Sequence, residues 1–235
     1  MTSTAHRTSP ISITIPARNE AAAIKTTIGR AQQGSILEVI VVDGGSSDET
    51  REIASLLGAK VIRSAPGRAV QMNTGAAMAK GEILLFLHAD TLLPPDFATP
   101  VTDILARPGI AAGAFTLAID LAGTSVRLLE KAVHLRSTLL QMPYGDQAIF
   151  LYRQKFIEIG GYPEEPILED VLLIQRLKKS GRIGIATQKT LTSGRRWQQL
   201  GLIKTSLINQ AIMLGYLLGI SPQRLQYWYR IAQKI

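Results

Sequence analysis

Glu38-Val-Ile-Val-Val-Asp-Gly-Gly45 decides the fold class. Four consecutive β-branched residues leave no polar face, so this strand must be covered on both sides. That is the habit of a parallel sheet with helices above and below it. Glu82-Ile-Leu-Leu-Phe-Leu87 repeats the pattern and ends at His88-Ala89-Asp90. Ile11-Ser-Ile-Thr-Ile15 opens the series, with Pro16 expected to halt it, and Lys60-Val-Ile-Arg63 adds a short member. Helical patterns fall between them: Glu20 to Gln33, a segment capped by Ser47 or Asp48 that runs to Leu57 before Gly58, and Ala69 to Ala79. Strands alternating with helices predict βαβ units. Such sheets bind ligands at the carboxyl ends of their strands. Asn19, Asp43 and Asp90 each lie just past a strand end.

The second half is less regular. Strands are expected over Ala111 to Asp120, Asp146 to Tyr152 and Arg182 to Ala186. Helices are expected over Ser125 to Leu140, Gln154 to Ile159, Asp170 to Lys179, Leu202 to Gly219 and Pro222 to Lys234. Gly160-Gly-Tyr-Pro163 breaks the chain. The expected organisation is an α/β body over residues 1–199 and a C-terminal helical extension over 200–235.

Composition narrows the classes. In 235 residues, 46% are apolar and 19% charged, which excludes a disordered chain. The absence of cysteine excludes a disulfide scaffold, a cysteine-ligated metal and a thiol nucleophile. A net charge of +8 favours partners that carry phosphate. Met1 to Pro10 is polar and shows no signal-like apolar region, so a cytoplasmic protein is expected. The nearest approach to a membrane span is Leu202 to Ile220, which Lys204, Asn209 and Gln210 interrupt. An apolar helix followed by the basic, aromatic segment with Arg224, Tyr227, Trp228, Tyr229 and Arg230 suits a membrane interface. It equally suits a core helix or a homodimer contact, and the readings stay open here.

Several residues could carry chemistry. Asp43 follows apolar residues and precedes two glycines that admit a ligand close to the backbone, though it also suits a helix-capping turn. Asp90 ends the most hydrophobic strand, where one carboxylate can hold Mg or Mn together with phosphate oxygens. His88 lies two residues earlier, on the same side of an extended segment. Arg68 opens a helix and can meet phosphate. Glu169-Asp170 fits either helix-dipole charge or a general base. Gly145-Asp146 is similarly two-sided. Arg195-Arg196-Trp197, read as part of a Gly/Ser/Thr-rich loop, suits a diphosphate, a sugar face or RNA. No Gly-x-Gly-x-x-Gly follows the first strand, no Ser/His/Asp triad is legible, and the three histidines lack metal-ligand spacing.

The order of these pieces is more specific than any one of them. Ile15-Pro-Ala-Arg-Asn-Glu20, Val41-Val-Asp-Gly-Gly-Ser-Ser-Asp-Glu-Thr50, Arg68, Asn73-Thr-Gly75, Leu87-His-Ala-Asp-Thr91, Gly145-Asp-Gln147, Leu168-Glu-Asp170 and Arg195-Arg-Trp197 follow one another. Over residues 11–197 the chain resembles a family 2 glycosyltransferase of the GT-A fold. The resemblance implies a mostly parallel central sheet flanked by helices. It implies a nucleotide-sugar pocket lined by Pro16, Ala17, Arg18, Asn19 and Glu20. Asp43 would contact nucleobase or ribose, with Arg68, Asn73, His88 and Ala89 nearby. Asp90 matches the last carboxylate of the family's Asp-x-Asp motif, which holds a divalent Mn or Mg. Asp170, with Glu169 beside it, matches the catalytic base. Asp146, Arg195, Arg196 and Trp197 fall near the diphosphate and acceptor.

The implied reaction is inverting transfer from a nucleoside-diphosphate sugar to a small-molecule or lipid-linked hydroxyl acceptor, with no nucleic-acid partner. Two departures stand out. Gly44 replaces a second carboxylate and His88 replaces the first Asp of Asp-x-Asp. Those forms resemble a small bacterial subgroup associated with radical-SAM, selenium or arsenosugar pathways. The alternatives are a catalytically inactive nucleotide or phosphate-polymer binder and, ranked lower, a sugar nucleotidyltransferase or a dehydrogenase.

Overall fold

The computed structural model describes residues 9–234. The reading of residues 1–8 as a polar lead-in lies outside them. Strands β1 (Ile11–Ala17), β2 (Glu38–Asp43), β3 (Lys60–Arg63) and β4 (Ile83–Phe86) lie parallel in the order β3-β2-β1-β4. Helices α1 (Ala21–Ala31), α2 (Thr50–Leu56) and α3 (Arg68–Met78) connect them. The double-sided burial inferred from sequence is met residue by residue. Val39 and Val41 pack with Ile24 and Ile28 of α1, while Ile40 and Val42 pack with Met72 and Ala76 of α3 on the opposite face.

Strand β1 does not stop at Pro16. Thr14 O accepts from Leu87 N–H on the β4 side, and Ala17 O accepts from Gly44 N–H on the β2 side. Pro16, two residues past Thr14, therefore faces β4's side beyond its end at Phe86, and its missing N–H deprives no rung.

The remainder extends the sheet as β5 (Thr91–Leu92), β6 (Ile110–Asp120), β7 (Phe150–Tyr152) and β8 (Arg182–Ser193). The full order is β3-β2-β1-β4-β7-β6-β8-β5, with β7 antiparallel to β4 and β6. Strand β8 runs parallel to β6 and antiparallel to β5. The sheet is thus mixed rather than simply parallel. Helices α4 (Ala98–Leu105), α5 (Thr124–Leu139), α6 (Arg153–Glu158), α7 (Glu169–Lys178), α8 (Arg195–Leu200), α9 (Leu202–Leu217) and α10 (Pro222–Lys234) complete the chain.

Several expectations need correction. Gly145–Gln147 is a 3-10 turn and not the start of a strand. Ala148 takes a positive φ of 49°, and the buried Gln147 side chain binds Tyr144 N–H and Phe115 O instead of a ladder. Strand β8 runs seven residues beyond Ala186. From Lys189 its end alternates, with Thr190 and Thr192 buried between the more exposed Lys189, Leu191 and Ser193, and threonine suits strands. Helix α4 went unread because Pro100 sits near its start, where a missing N–H costs little. Neither Ser47 nor Asp48 is the N-cap of α2, which is Glu49, and Ser47 bonds Asn19 instead. Asp48 accepts from Thr50 N–H and also from Ala21 N–H at the start of α1, each at 3.1 Å.

Gly75 sets how closely α3 approaches the sheet. A Cβ there would overlap Thr14 Cγ2 and stand 3.1 Å from Val42 Cγ2. Gly29 in α1 has nothing within 4 Å of the same position. Alanine in a helix is favoured over glycine by about 1 kcal/mol, so the two substitutions should differ in sign. Urea unfolding is expected to show Gly29→Ala stabilised by up to about 1 kcal/mol. Gly75→Ala is expected to be destabilised by about 1–3 kcal/mol.

Candidate active site

The carboxyl ends of β1 and β4 converge with the start of α7 and the end of β8 around a cavity of about 450 Å³. Behind it the β1 and β2 loops are tied together. Asn19, with φ 57°, donates its N–H to Ser46 Oγ and accepts from Ser47 N–H through its side chain. Glu20 N–H is taken by Thr50 Oγ1 at 2.8 Å. The unfilled amides at the start of α1 are therefore satisfied from the neighbouring loop. Asp43 is 1% exposed, and its carboxylate accepts from Ser46 and Gly45 N–H.

Thirteen of the residues singled out from sequence line the cavity. Pro16, Ala17, Arg18 and Glu20 come from the β1 end, and His88, Ala89 and Asp90 from the β4 end. Arg68 opens α3, Asp146 lies in the 3-10 turn, and Glu169 and Asp170 open α7. Arg196 and Trp197 come from α8, which replaces the loop expected there. Asn19, Asp43, Asn73 and Arg195 are not among the lining residues. Asn73 instead clasps the Tyr162 backbone, donating to its O and accepting from its N–H, each at 2.9 Å. Arg195 sits at the rim, where its Nη2 donates to Glu20 Oε2 at 2.8 Å and to Asp90 Oδ2 at 3.1 Å.

The electrostatic centre is Glu169-Asp170. Glu169 is buried and its Oε1 pairs with Arg68 Nε at 2.8 Å, while the Arg68 side chain stays half exposed in the open cleft. Asp170 Oδ2 accepts from Gly145 N–H at 3.1 Å. Burial pushes the Asp170 carboxyl up to about 7, the Glu169 charge adds to this, and Arg68 opposes it. Burial, helped by Arg68, pushes His88 down to about 3, so its ring is neutral at neutral pH. Burial also raises Asp146.

Gly145 makes this cluster fit. A Cβ on it would overlap Asp170 Oδ2 and lie 2.6 Å from His88 Nε2. His88 Nε2, Asp146 Oδ1, Asp170 Oδ1 and Arg196 Nε are buried with no hydrogen-bond partner among the described residues. Buried polar atoms are nearly always paired. Four unpaired ones around one cavity mark where a polar ligand completes the structure.

Other lining residues were not read from sequence. Gln71 reaches Ala17 O and Val42 O through its Nε2, and Tyr144 stacks under Arg136 at 3.6 Å. Thr192 and Ser193 arrive with the unexpected length of β8. Asn209, Ile212 and Met213 of α9 and Tyr229 of α10 form one wall. Arg196 anchors that wall by donating to Asn209 Oδ1 at 3.0 Å and lying 5.1 Å above the Tyr229 ring. Asn209 was legible only as a polar interruption of an apolar helix, and that interruption is the residue turned toward Arg196.

The sequence profile of the family described as Glycosyl transferase family 2 matches residues 12–162. The 4,4'-diaponeurosporenoate glycosyltransferase of Staphylococcus haemolyticus is 36% identical over 100 residues, covering 39% of this chain and 27% of that protein. The glucosyl-3-phosphoglycerate synthase of Mycobacterium tuberculosis is 31% identical over 114 residues, covering 43% of this chain and 35% of that protein. The chain thus matches about a quarter to a third of the length of these relatives. In fold it is similar to a mannosyltransferase of Pyrobaculum calidifontis solved with GDP-Man and Mn2+. The TM-score is 0.66 at 18% identity, over 85% of this chain and 62% of the other. The architecture is GT-A-like, and since the family profile spans more than half of the chain, this protein belongs to glycosyl transferase family 2.

Proposed function

We propose that the protein moves a sugar, with inversion, from a nucleoside-diphosphate donor to a hydroxyl of a small-molecule or lipid-linked acceptor. The observation that carries this is Asp170: a buried carboxyl pushed up to about 7, with Oδ1 unpartnered, in the same cavity as the strand-end residues. A base near neutrality accepts a proton efficiently at physiological pH. Support also comes from relatives named as glycosyltransferases and from a similar fold solved with a nucleotide-sugar and Mn2+.

In this reading Pro16, Ala17, Arg18 and Glu20 line the nucleoside end, with Asn19 and Asp43 behind them fixing the loop. Arg68 and Arg196 face the charge that grows on the departing diphosphate. Asp170 takes the acceptor's proton. Neutral His88 offers an uncharged hydrogen-bonding edge beside the sugar. Asp146 and Trp197 fall to the acceptor side. One base without a carboxylate nucleophile corresponds to a single displacement.

Among the described residues no three His, Asp or Glu side chains cluster as a metal cage. Mg and Mn often take one carboxylate and complete their shell with phosphate and water. Asp90, turned to the cavity and holding only Arg195, fits that donor set. When bound there, Mn or Mg would supply positive charge to the diphosphate.

The body over residues 1–199 would carry the chemistry and the extension over 200–235 would close one wall. The His88-Ala89-Asp90 and Asp43-Gly44-Gly45 forms support the further reading that the chain is related to the small bacterial subgroup associated with radical-SAM, selenium or arsenosugar pathways.

Three outcomes test the reading. A thermal-shift panel of nucleoside diphosphates should raise the midpoint for one base, more with Mn and less in Asp90→Ala. No shift with any nucleotide would favour a phosphate-polymer binder.

Asp170→Asn should lower kcat by about 10²–10⁴-fold while leaving that nucleotide shift in place. If Glu169→Gln alone abolished turnover, Glu169 would be the base.

The pH profile carries the sign of each neighbour. Asp170 must be deprotonated to act, so kcat/KM should rise through about pH 7 and level above it. Glu169→Gln removes a repelling charge and should move this limb to lower pH. Arg68→Gln removes an attracting charge and should move it to higher pH. Shifts in the same direction for both variants would rule out Asp170 as the titrating group.

A further inference from the structure

Helix α9 is largely apolar, interrupted by Lys204, Asn209 and Gln210, yet it is not a core helix. Thr205, Ile212 and Gly215 face inward and are buried. On the outside Ile203, Leu207, Leu214, Leu217 and the C-cap residue Leu218 form one stripe at helical spacing, each 59–76% exposed, with exposed Gln210 as the polar residue within it. A helix of this kind is normally enclosed by protein or by lipid. Helix α10 continues the surface. Leu225 packs inward, while Tyr227, Trp228 and Ile231 are exposed at i, i+1 and i+4. The Trp228 ring lies 3.9 Å from where a Cβ of Gly215 would be, so α10 packs against the Gly215 side of α9.

Charge selects what covers them. Asp170 is the last acidic residue in the sequence. Residues 171–235 hold eleven Lys and Arg and no Asp or Glu, a net of +11, against a net of −3 for residues 1–170. Arg224 and Arg230 are exposed on α10, and Lys204 lies on α9. A second copy docked on this face would bring like charges together. An anionic bilayer would pair them, while the leucines enter the acyl boundary and Trp228 and Tyr227 sit at headgroup level. Among the described residues no helix is long and apolar enough to cross a membrane. At 16 residues α9 is about 24 Å long, suited to lying in the interface plane.

We infer that the outer faces of α9 and α10 bind an anionic membrane surface. The inference stands apart from the transfer chemistry, because vesicle binding reads these faces and the nucleotide thermal shift reads the cavity.

The test is flotation of the full chain with phosphatidylcholine vesicles and with vesicles that also contain phosphatidylglycerol, at low and high salt. Binding is expected only on the anionic vesicles and should weaken with salt. Leu207→Glu with Leu214→Glu should reduce the bound fraction about tenfold or more. Arg224→Gln and Arg230→Gln, which leave the packing intact, should each reduce it about fivefold. Trp228 emission should shift to the blue on binding, and Trp228→Phe should remove that shift while retaining binding. Each variant should keep the parent's thermal midpoint and nucleotide shift. The inference fails if the parent chain stays off anionic vesicles or binds neutral ones equally. It also fails if light scattering shows a dimer that the Leu207→Glu/Leu214→Glu pair dissolves.

Discussion

Strands β1, β2 and β4 are covered by helices on both faces, and this confinement determines where everything polar can go. A strand sealed on both sides has no place for a charged side chain along its length. Ligand chemistry is pushed to the carboxyl ends, where the strands part and backbone groups lose their partners. The structure handles that loss explicitly. Gln71 satisfies Ala17 O at 2.9 Å and Val42 O at 2.7 Å from within α3. The loop after β2 supplies Ser46, Asp48 and Thr50 to the amides of residues 19–21. Two adjoining strand ends are thereby locked into one rigid edge. Arg18 and Glu20 inherit fixed positions from it, and α3 can pass close overhead only because residue 75 lacks a side chain.

Against that edge stands a buried carboxylate pair, and burial disfavours the charge on its second member, Asp170. Glu169 and Asp170 are adjacent and buried, and Arg68 is the one cation paired directly with them by a salt bridge among the described residues. Asp170's folded value lies well above its ordinary 3.8. The sign follows directly: its contribution to stability is full below pH 3.8 and is lost as pH rises through about 7. At neutral pH the protein is therefore holding a group partly against its own stability. Raised carboxyls in clefts are enriched at sites that move protons. A purely structural helix start could place both carboxylates in solvent and gain from the dipole without the desolvation cost.

The strand-helix order of residues 11–87 was legible because its signals are local: unbroken apolar runs, glycine stops and a shared period. Asp170, Asp90 and Arg68 were legible because they stand at element starts or ends, where charge is unusual beside apolar runs. What sequence could not supply was long-range assignment. Asp43 and Asn73 carry polar side chains in motif positions, yet both bind backbone within the fold, and only three-dimensional contact separates that from ligand binding. The strand read as ending at Ala186 because the residues that continue it, Thr187 to Ser193, are mostly polar. Tyr144 and Met213 have no sequence mark, since their place depends on α5 and α9 closing over the sheet edge.

Helix α9 belongs to two environments at once. Its inner face gives Asn209, Ile212 and Met213 to the cavity, and its outer face carries the leucine stripe. Arg196 joins α8 to α9 through Asn209 and reaches toward Tyr229 of α10. Glycines with φ of 81° and 82°, Gly201 and Gly219, bracket the helix. An influence of a bound surface on the cavity would therefore act through the positions of α9 and of α10, whose Tyr229 also lines it. Coupling of that kind requires the surface to favour one placement of α9 over another, because a ligand that binds both equally shifts neither. The outer stripe supplies affinity, while Ile212, Met213 and the Asn209–Arg196–Tyr229 contacts turn a displacement of α9 into a changed cavity. The apolar surface and the arginine-lined wall are thus two sides of a single mechanical element.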